Sequence, residues 1–514
     1  VGGLVALAAI LRAPTLARAY WIDEAISVGI ASHRISLIPG LLRHDGSPPL
    51  YYVLLHLWMR VAGAGEVSTH ALSLLISLAV IPLAARSARA LFGRRAGLCA
   101  ALLAASSPFL AWYSTETRMY ALVCLLALVA TTSTVLALHR RRPGDVAGAV
   151  LAFAALLYAH NWGLHLVAAT FMVVIWRAWR HRDGQVVAWA GGSMAVLVVL
   201  YLPWLPSLLL QARHTGAPWA VRPGVGHLLS APASMLGGSL GALVLPLLVA
   251  GVVLARCRSG TTSPDRGAGL LLAIGALTIF AGWLAAQAEP SWASRYLAVA
   301  LPVVLVAGAG ALGASRAGCR VAATVALVLV AWSVLGSVLD GNTPYAKSNV
   351  AAVAATAWPV VHPGDLVVVT QTEQLADVAR YLPAGLSYST PLGTTTDPGV
   401  VDWRDLVRRL AAADPRRTIA PLLAALPDGA HLFLVNPTEP VGRPGTRWST
   451  TVNRQVGAVN RLIGEDHDLH LVRSIRRGAY PARSRSVSAL LFVKRRGAAP
   501  RPGPGWRAAP PRER

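Results

Sequence analysis

The sequence predicts a polytopic α-helical membrane protein, many spans followed by a C-terminal α/β domain, and three observations carry that reading. Its 514 residues are 54% hydrophobic and 14% charged with a positive mean hydropathy, a balance that a soluble chain of this size does not keep in solution. Apolar stretches of membrane-spanning length recur from the N-terminus to about residue 339 and then stop. The arginines between them fall in short clusters: Arg86, Arg89, Arg94 and Arg95; Arg140 to Arg142; Arg177, Arg180 and Arg182; Arg256 and Arg258; Arg316 and Arg320. Such clusters act as topology signals, so the net charge of +24 does not call for a nucleic-acid partner.

Apolar windows of about 20 residues place spans at 1–19, 70–90, 96–113, 118–138, 146–163, 164–179, 185–205, 236–255, 268–287, 296–314 and 320–339, about eleven in all. The first window reads as a span and not as a cleaved signal peptide. Ala17-Arg18-Ala19 has the small residues of a cleavage site, but no basic stretch precedes the window and Arg12 interrupts it. The segment Pro48 to Val61 is apolar too, yet counting it would scatter the arginine clusters over both sides of the membrane. It is expected to lie along the surface, with Tyr51, Tyr52, His56 and Trp58 at headgroup level.

With a cytoplasmic N-terminus, this count puts the loop 20–69 and the C-terminal domain outside the cytoplasm. Tyr113 to Arg118, His160 to Trp162, Ser207 to Ala233 and Glu289 to Arg295 fall on the same outer face. The expected division is a membrane domain over 1–340, an extracytoplasmic α/β domain over 341–496 and a disordered tail over 497–514. In the second domain Leu366 to Thr370 and His431 to Val435 read as buried strands, Asp402 to Ala413 and Thr451 to Ile463 as amphipathic helices, and Leu469 to Ser474 with Val487 to Val493 as a strand pair. Cys99, Cys124, Cys257 and Cys319 have no metal-type spacing and imply no disulfide framework. No Gly-rich phosphate cradle is present, which argues against nucleotide chemistry.

Charged residues at the mouth of an apolar bundle are costly, which makes them the best pointers to chemistry. Asp23-Glu24 opens the first outer loop, where a carboxylate suits general-base catalysis and equally suits a helix N-terminus. His44-Asp45 precedes a Pro-initiated helix in the same loop. Glu116 and Arg118 break two spans, either neutralising each other or offering Arg118 to a phosphate. Ser294-Arg295-Tyr296 places an arginine on the outer face, against the topology rule, by snorkelling or for an anion. His160 ends a span there as a metal or phosphate ligand or as a plain interfacial histidine. Asp466-His467-Asp468 reads as a solvated turn.

The acidic pair, Pro48-Pro49-Leu50-Tyr51-Tyr52, Glu116-x-Arg118-x-Tyr120, Tyr158-x-His160-x-Trp162 and Ser294-Arg295-Tyr296 together resemble the GT-C membrane glycosyltransferases, and within them the dolichyl-phosphate-mannose-protein mannosyltransferase-like branch, glycosyltransferase family 39, in its actinobacterial form. The resemblance covers about the first 340 residues. It implies a polyprenyl-phosphate-linked sugar donor, mannose in the first instance, and a lipid, glycan or protein hydroxyl as acceptor. Transfer would occur with inversion on the extracytoplasmic face of the plasma membrane.

Carried over by residue, Asp23 resembles the base and Glu24 its support, while Arg295 with Tyr296, and Arg118 with Tyr120 and Glu116, resemble the donor phosphate site. Asp45, with His44 beside it, and His160 stand where some members bind a divalent metal ion or substrate. Two features depart from the family pattern. The surface motif lacks the basic residue that follows its acidic position in some members, and His70 stands where relatives carry arginine. A transporter or lipid flippase is the competing class, and it would need ionisable groups near the middle of several helices. Here they concentrate at one face. A catalytically inactive scaffold is the third reading.

Overall fold

The computed structural model describes residues 1–259, 266–339, 347–475 and 486–496. The expected disordered tail, 497–514, lies outside the described residues. The chain divides into two compact units, one of Val1–Lys347 with Gly399–Leu406, the other of Ser348–Pro398 with the chain from Val407 onward.

The first unit is helical. In chain order its helices are α1 (Gly2–Arg12), α2 (Ile22–Ala31), α3 (Ile38–Asp45), α4 (Leu50–Ala62), α5 (Glu66–Phe92), α6 (Arg94–Ser106), α7 (Pro108–Tyr113), α8 (Tyr120–Arg140), α9 (Pro143–Ala159), α10 (Gly163–Arg180), α11 (Gly184–Tyr201) and α12 (Leu205–His214). Two short helices, α13 (Val225–Leu229) and α14 (Ala231–Met235), lead to α15 (Ser239–Ser259), α16 (Arg266–Ala288), α17 (Leu301–Gly313) and α18 (Arg316–Leu339). Five described helices are long and apolar enough to cross a membrane unaided, those in α5, α8, α11, α16 and α18, and several shorter apolar helices accompany them. The protein is a multi-pass membrane protein, and the expected count of about eleven spans is not fixed by helix length and composition.

Local chemistry explains the boundaries. The window 96–113 breaks into α6 and α7 because Ser107 caps α7, its side chain accepting from the Leu110 N–H at 3.3 Å, with Pro108 in the first turn. The window 1–19 yields a helix of only 11 residues, and Ala13–Thr15 continues as a tight turn. Arg12 is the last residue of this helix. It is 4% exposed and donates to Ser77 Oγ at 3.1 Å and to the Ala105 carbonyl at 2.8 Å, sealing the end of α6. The surface-helix expectation holds for the existence of α4 but needs correction for its aromatics. Tyr51 and Tyr52 are fully buried, His56 Nδ1 lies 2.9 Å from the Ala31 carbonyl and Trp58 donates to the Ser68 carbonyl at 2.8 Å. Their polar tips find protein partners, so no headgroup layer is needed to satisfy them.

The second unit is an α/β layer structure around one mixed sheet, with strands β1 (Leu366–Val369), β2 (Ser387–Thr390), β3 (Gly393–Thr395), β4 (His431–Pro437), β5 (Leu469–Ile475) and β6 (Val487–Lys494) in the order β3-β2-β1-β4-β6-β5. β2, β1 and β4 are parallel, with Leu366 beside Ser387 on one side and Leu432 on the other, while β3, β6 and β5 pair antiparallel. Alternation along the parallel strands sends Val367, Val369, Phe433 and Val435 into one core with α19 (Val350–Ala357) and α20 (Leu375–Tyr381). Leu366, Val368, Leu432 and Leu434 enter the other core. There they meet α23 (Ala420–Ala425) and α24 (Arg447–Gly464), reached through α21 (Leu406–Ala412) and α22 (Pro415–Thr418). A sheet buried on both faces needs continuous apolar strands, which is why Leu366 to Thr370 and His431 to Val435 were readable in sequence.

Candidate active site

α2 begins at Ile22 straight after an extended Trp21, and its first turn carries Asp23 and Glu24. Adjacent residues on a helix point about 100° apart, so the two carboxylates serve different neighbourhoods. Asp23 remains 17% exposed, and Arg295 Nη2 approaches its Oδ2 at 3.7 Å. Glu24 is 0% exposed. Its Oε1 sits 2.8 Å from His70 Nε2 and accepts from Lys347 Nζ at 2.7 Å and the Thr117 N–H at 2.8 Å. Burial alone would push the Glu24 carboxyl up, but the Lys347 ammonium and the His70 imidazole outweigh it and bring the value down to about 2. Glu24 is thus an ionised, enclosed carboxylate in a neighbourhood separate from that of Asp23.

Arg118, in the break between α7 and α8, does not neutralise Glu116. Its Nη1 donates to Ser27 Oγ at 3.0 Å, Tyr52 Oη at 3.1 Å and the Asp23 carbonyl at 3.4 Å. Glu116 accepts from Trp112 Nε1 at 3.2 Å instead. Tyr52 in turn donates to Asp45 Oδ2 at 3.4 Å, and burial pushes the Asp45 carboxyl above its ordinary range despite the opposing pull of Arg118. The turn carrying Asp45 is held from three directions: Gln211 Nε2 donates to the Leu42 carbonyl at 2.8 Å, Asn161 Nδ2 to the Gly46 carbonyl at 3.2 Å, and the Trp403 N–H to the His44 carbonyl at 3.0 Å. Gly46 has φ of +100° and lies against Thr215, which leaves no room for a side chain.

Arg295 stacks over Trp219 at 4.6 Å and neighbours the Tyr296 ring at 5.5 Å. Tyr296 and Tyr120 flank His160 at 4.9 and 6.0 Å between ring centres. His160 Nδ1 accepts the Trp162 N–H at 3.1 Å, which fixes the ring. Three buried donor-capable atoms in this cluster have no partner among the described residues: Arg118 Nε, Arg295 Nε and Tyr120 Oη. Unpaired buried donors cost about 1–3 kcal/mol each, so the arrangement is set up for an incoming acceptor, and two guanidiniums with a phenol suit a phosphate.

Asp23, Asp45, Arg118, Tyr120, His160, Arg295 and Tyr296 are therefore brought together, with Glu24, His44 and Glu116 around them in structural contacts. Asp45, His44 and His160 do not form a ligand set: the one described group of three metal-type side chains within mutual reach lies in the second unit. Sequence reasoning missed Lys347, Ser27 and Trp219. Only His70 left a signal, as a departure from the family pattern facing an acidic pair. An apolar cavity of about 60 Å³ between α8, α9, α10 and α11 lines up with Thr134 and Leu138, far along α8 from Tyr120, and does not serve this cluster.

Comparison with known proteins bears on the fold. Residues 46–205 match the family model for dolichyl-phosphate-mannose-protein mannosyltransferase. The chain has a GT-C type of fold. Its fold is similar to that of ArnT from Cupriavidus metallidurans, solved with undecaprenyl phosphate, at a TM-score of 0.57 and 14% identity over 97% of this chain and 98% of that one. The oligosaccharyltransferase AglB from Archaeoglobus fulgidus, solved with an inhibitory peptide and a dolichol-phosphate, matches at a TM-score of 0.49 and 11% identity over 92% of this chain and 73% of that one. A sequence comparison with curated proteins found no match. The family-model match includes Arg118, Tyr120 and His160 and leaves Asp23, Asp45 and Arg295 outside the matched stretch.

Proposed function

We propose that the protein is a glycosyltransferase that moves a hexose, mannose by its family match, from a polyprenyl-phosphate-linked donor to a hydroxyl of a lipid, glycan or protein on the extracytoplasmic face. The observation that carries the reading is the trio of buried donors with no partner among the described residues, Arg118 Nε, Arg295 Nε and Tyr120 Oη, beside the partly open carboxylate of Asp23. The carrier lipid in the ArnT structure supports the choice of donor class.

In the reaction the acceptor oxygen bonds to the anomeric carbon as the bond from that carbon to the phosphate oxygen breaks, and polyprenyl phosphate departs with the electron pair. Asp23 takes the hydroxyl proton, and attack from the opposite side inverts the centre. Arg118, Arg295 and Tyr120 stabilise the charge growing on the phosphate; a single such donor is worth about 10²–10³ in rate. Glu24 positions: anchored to His70, Lys347 and the Thr117 amide, it holds the start of α2, and with it Asp23, against the turn that carries Arg118. The ligand atoms of Asp45, His44 and His160 do not converge on one point, and no step here runs through a metal.

Purified protein supplied with a short-chain polyprenyl-phosphate mannose and hydroxyl acceptors tests the proposal. Wild type consumes donor, Asp23→Asn loses about 10²-fold or more in kcat, and Arg295→Gln weakens donor use. Equal turnover by Asp23→Asn removes Asp23 as the base. A transporter would instead move the intact lipid without breaking the sugar linkage.

A further inference from the structure

We infer that the second unit carries a binding site for one divalent transition-metal ion, best matched to Zn²⁺, formed by His362, Asp365 and His431. Nothing in the sugar-transfer reading uses these residues. Their ligand atoms all lie within 4.8 Å of one another, the reach of small side-chain rotations around a shared ion. His431 Nδ1 is 3.3 Å from Asp365 Oδ2, and the two imidazole ring centres lie 6.1 Å apart with planes 31° from parallel. A metal held at about 2.0–2.1 Å by both rings puts their centres about 5–6 Å apart, so closure asks for a movement well under an ångström per ring.

The topology builds this cluster from residues distant in sequence. β1 and β4 are parallel neighbours in register Leu366 to Leu432, so the residues just before that pair, Asp365 and His431, meet at the same end of the sheet. The turn His362-Pro363-Gly364-Asp365 folds back through Gly364 at φ +95°, which returns His362 to the carboxylate. Asp365 Oδ2 accepts the His362 N–H and Oδ1 the His431 N–H, both at 2.7 Å. These bonds orient the carboxylate before any ion arrives. They explain an aspartate at this turn, since capping two amides takes about half of the acceptor positions of a carboxylate. They do not explain two neighbouring imidazoles.

Two imidazoles and one carboxylate make a mixed N/O set, which selects zinc and its neighbours over Mg²⁺ or Ca²⁺, whose sites are all oxygen. Asp365 is 6% exposed while His362 is open to solvent, so ions have a path in and the remaining coordination positions stay available for water. Binding would clamp the turn before β1 to the start of β4 and stabilise the unit in proportion to the free ion concentration.

The test uses the untagged full chain in detergent, stripped with chelator, loaded with Zn²⁺ or Co²⁺ and desalted. Wild type should retain about one Zn²⁺ more per chain than His362→Ala, give a Co²⁺ visible spectrum that His362→Ala lacks, and unfold at higher temperature with Zn²⁺ but not with Mg²⁺. Asp365→Asn keeps one capping oxygen and should weaken retention by about tenfold or more. The open position of His362 lets its variant fold, and its unfolding temperature without metal checks that it has. Equal Zn²⁺ retention by folded wild type and folded His362→Ala, or a Co²⁺ spectrum indistinguishable between them, overturns the site.

Discussion

At the scale of single residues, environment splits the acidic groups into distinct kinds. Glu24 shows that adjacency in sequence is not adjacency in space: it shares a helix turn with Asp23, yet faces a buried ion cluster with His70 and Lys347. Removing one partner from such a pair costs about 3–5 kcal/mol because a charge stays buried alone. Lys347→Met should therefore lower thermal stability markedly, and adding Glu24→Gln to it should recover part of the loss; additive losses in that double-mutant cycle would show that the two do not interact. Glu373, in the second unit, is the opposite case. It is 4% exposed, its Oε2 has no partner among the described residues, and burial pushes its carboxyl up to about 7 from 4.5. Because the folded value lies above the unfolded one, the folded state holds the proton more tightly, and stability falls as pH rises from 4.5 to about 7. Glu373→Gln should remove that decline, on the order of 3 kcal/mol above pH 7, and change little near pH 4. A variant whose stability falls with pH as steeply as wild type would sink this reading.

At the scale of elements, packing of α17 depends on missing side chains. A Cβ on Gly313 would lie 2.5 Å from the Ala96 backbone nitrogen of α6, and one on Gly310 would lie 2.6 Å from the Phe92 ring, whereas Gly308 faces open space. Gly313→Ala should thus depress the unfolding temperature in detergent by several degrees, since overpacking costs about 1–3 kcal/mol, while Gly308→Ala should leave it unchanged or raise it. Equal effects would mean that the close approach of α6 and α17 does not limit stability. Much of the element pattern was legible: long apolar windows became α5, α8, α16 and α18, and the apolar strands β1 and β4 were read directly. β2, β3, α19 and α20 were missed. Ser387 to Thr390 is too polar to read as a strand and becomes one because β1 offers it an edge, so tertiary pairing overrode a weak local signal.

At the scale of the whole molecule, orientation is the main proposal still resting on charge pattern. If the arginine-rich connections face the cytoplasm, cysteine at the exposed position of Gly65 should react with a membrane-impermeant maleimide on intact cells, and cysteine at the exposed position of Gly144 only after permeabilisation. The reverse labelling pattern would invert the topology and move the proposed sugar transfer to the cytoplasmic side. Composition, span periodicity and the arginine clusters determined by themselves that this is a multi-pass membrane protein with an α/β region after it, because hydrocarbon imposes length and polarity rules that any sequence must display locally. Which charged side chains meet was decided only by tertiary structure. Asp23, Arg118 and Arg295 come from three remote segments, Lys347 joins Glu24 across 323 positions, and His362 meets His431 only through parallel pairing of β1 with β4. Such meetings depend on helix rotation and strand register, and a few tens of degrees or one residue of slip would send the same side chains elsewhere.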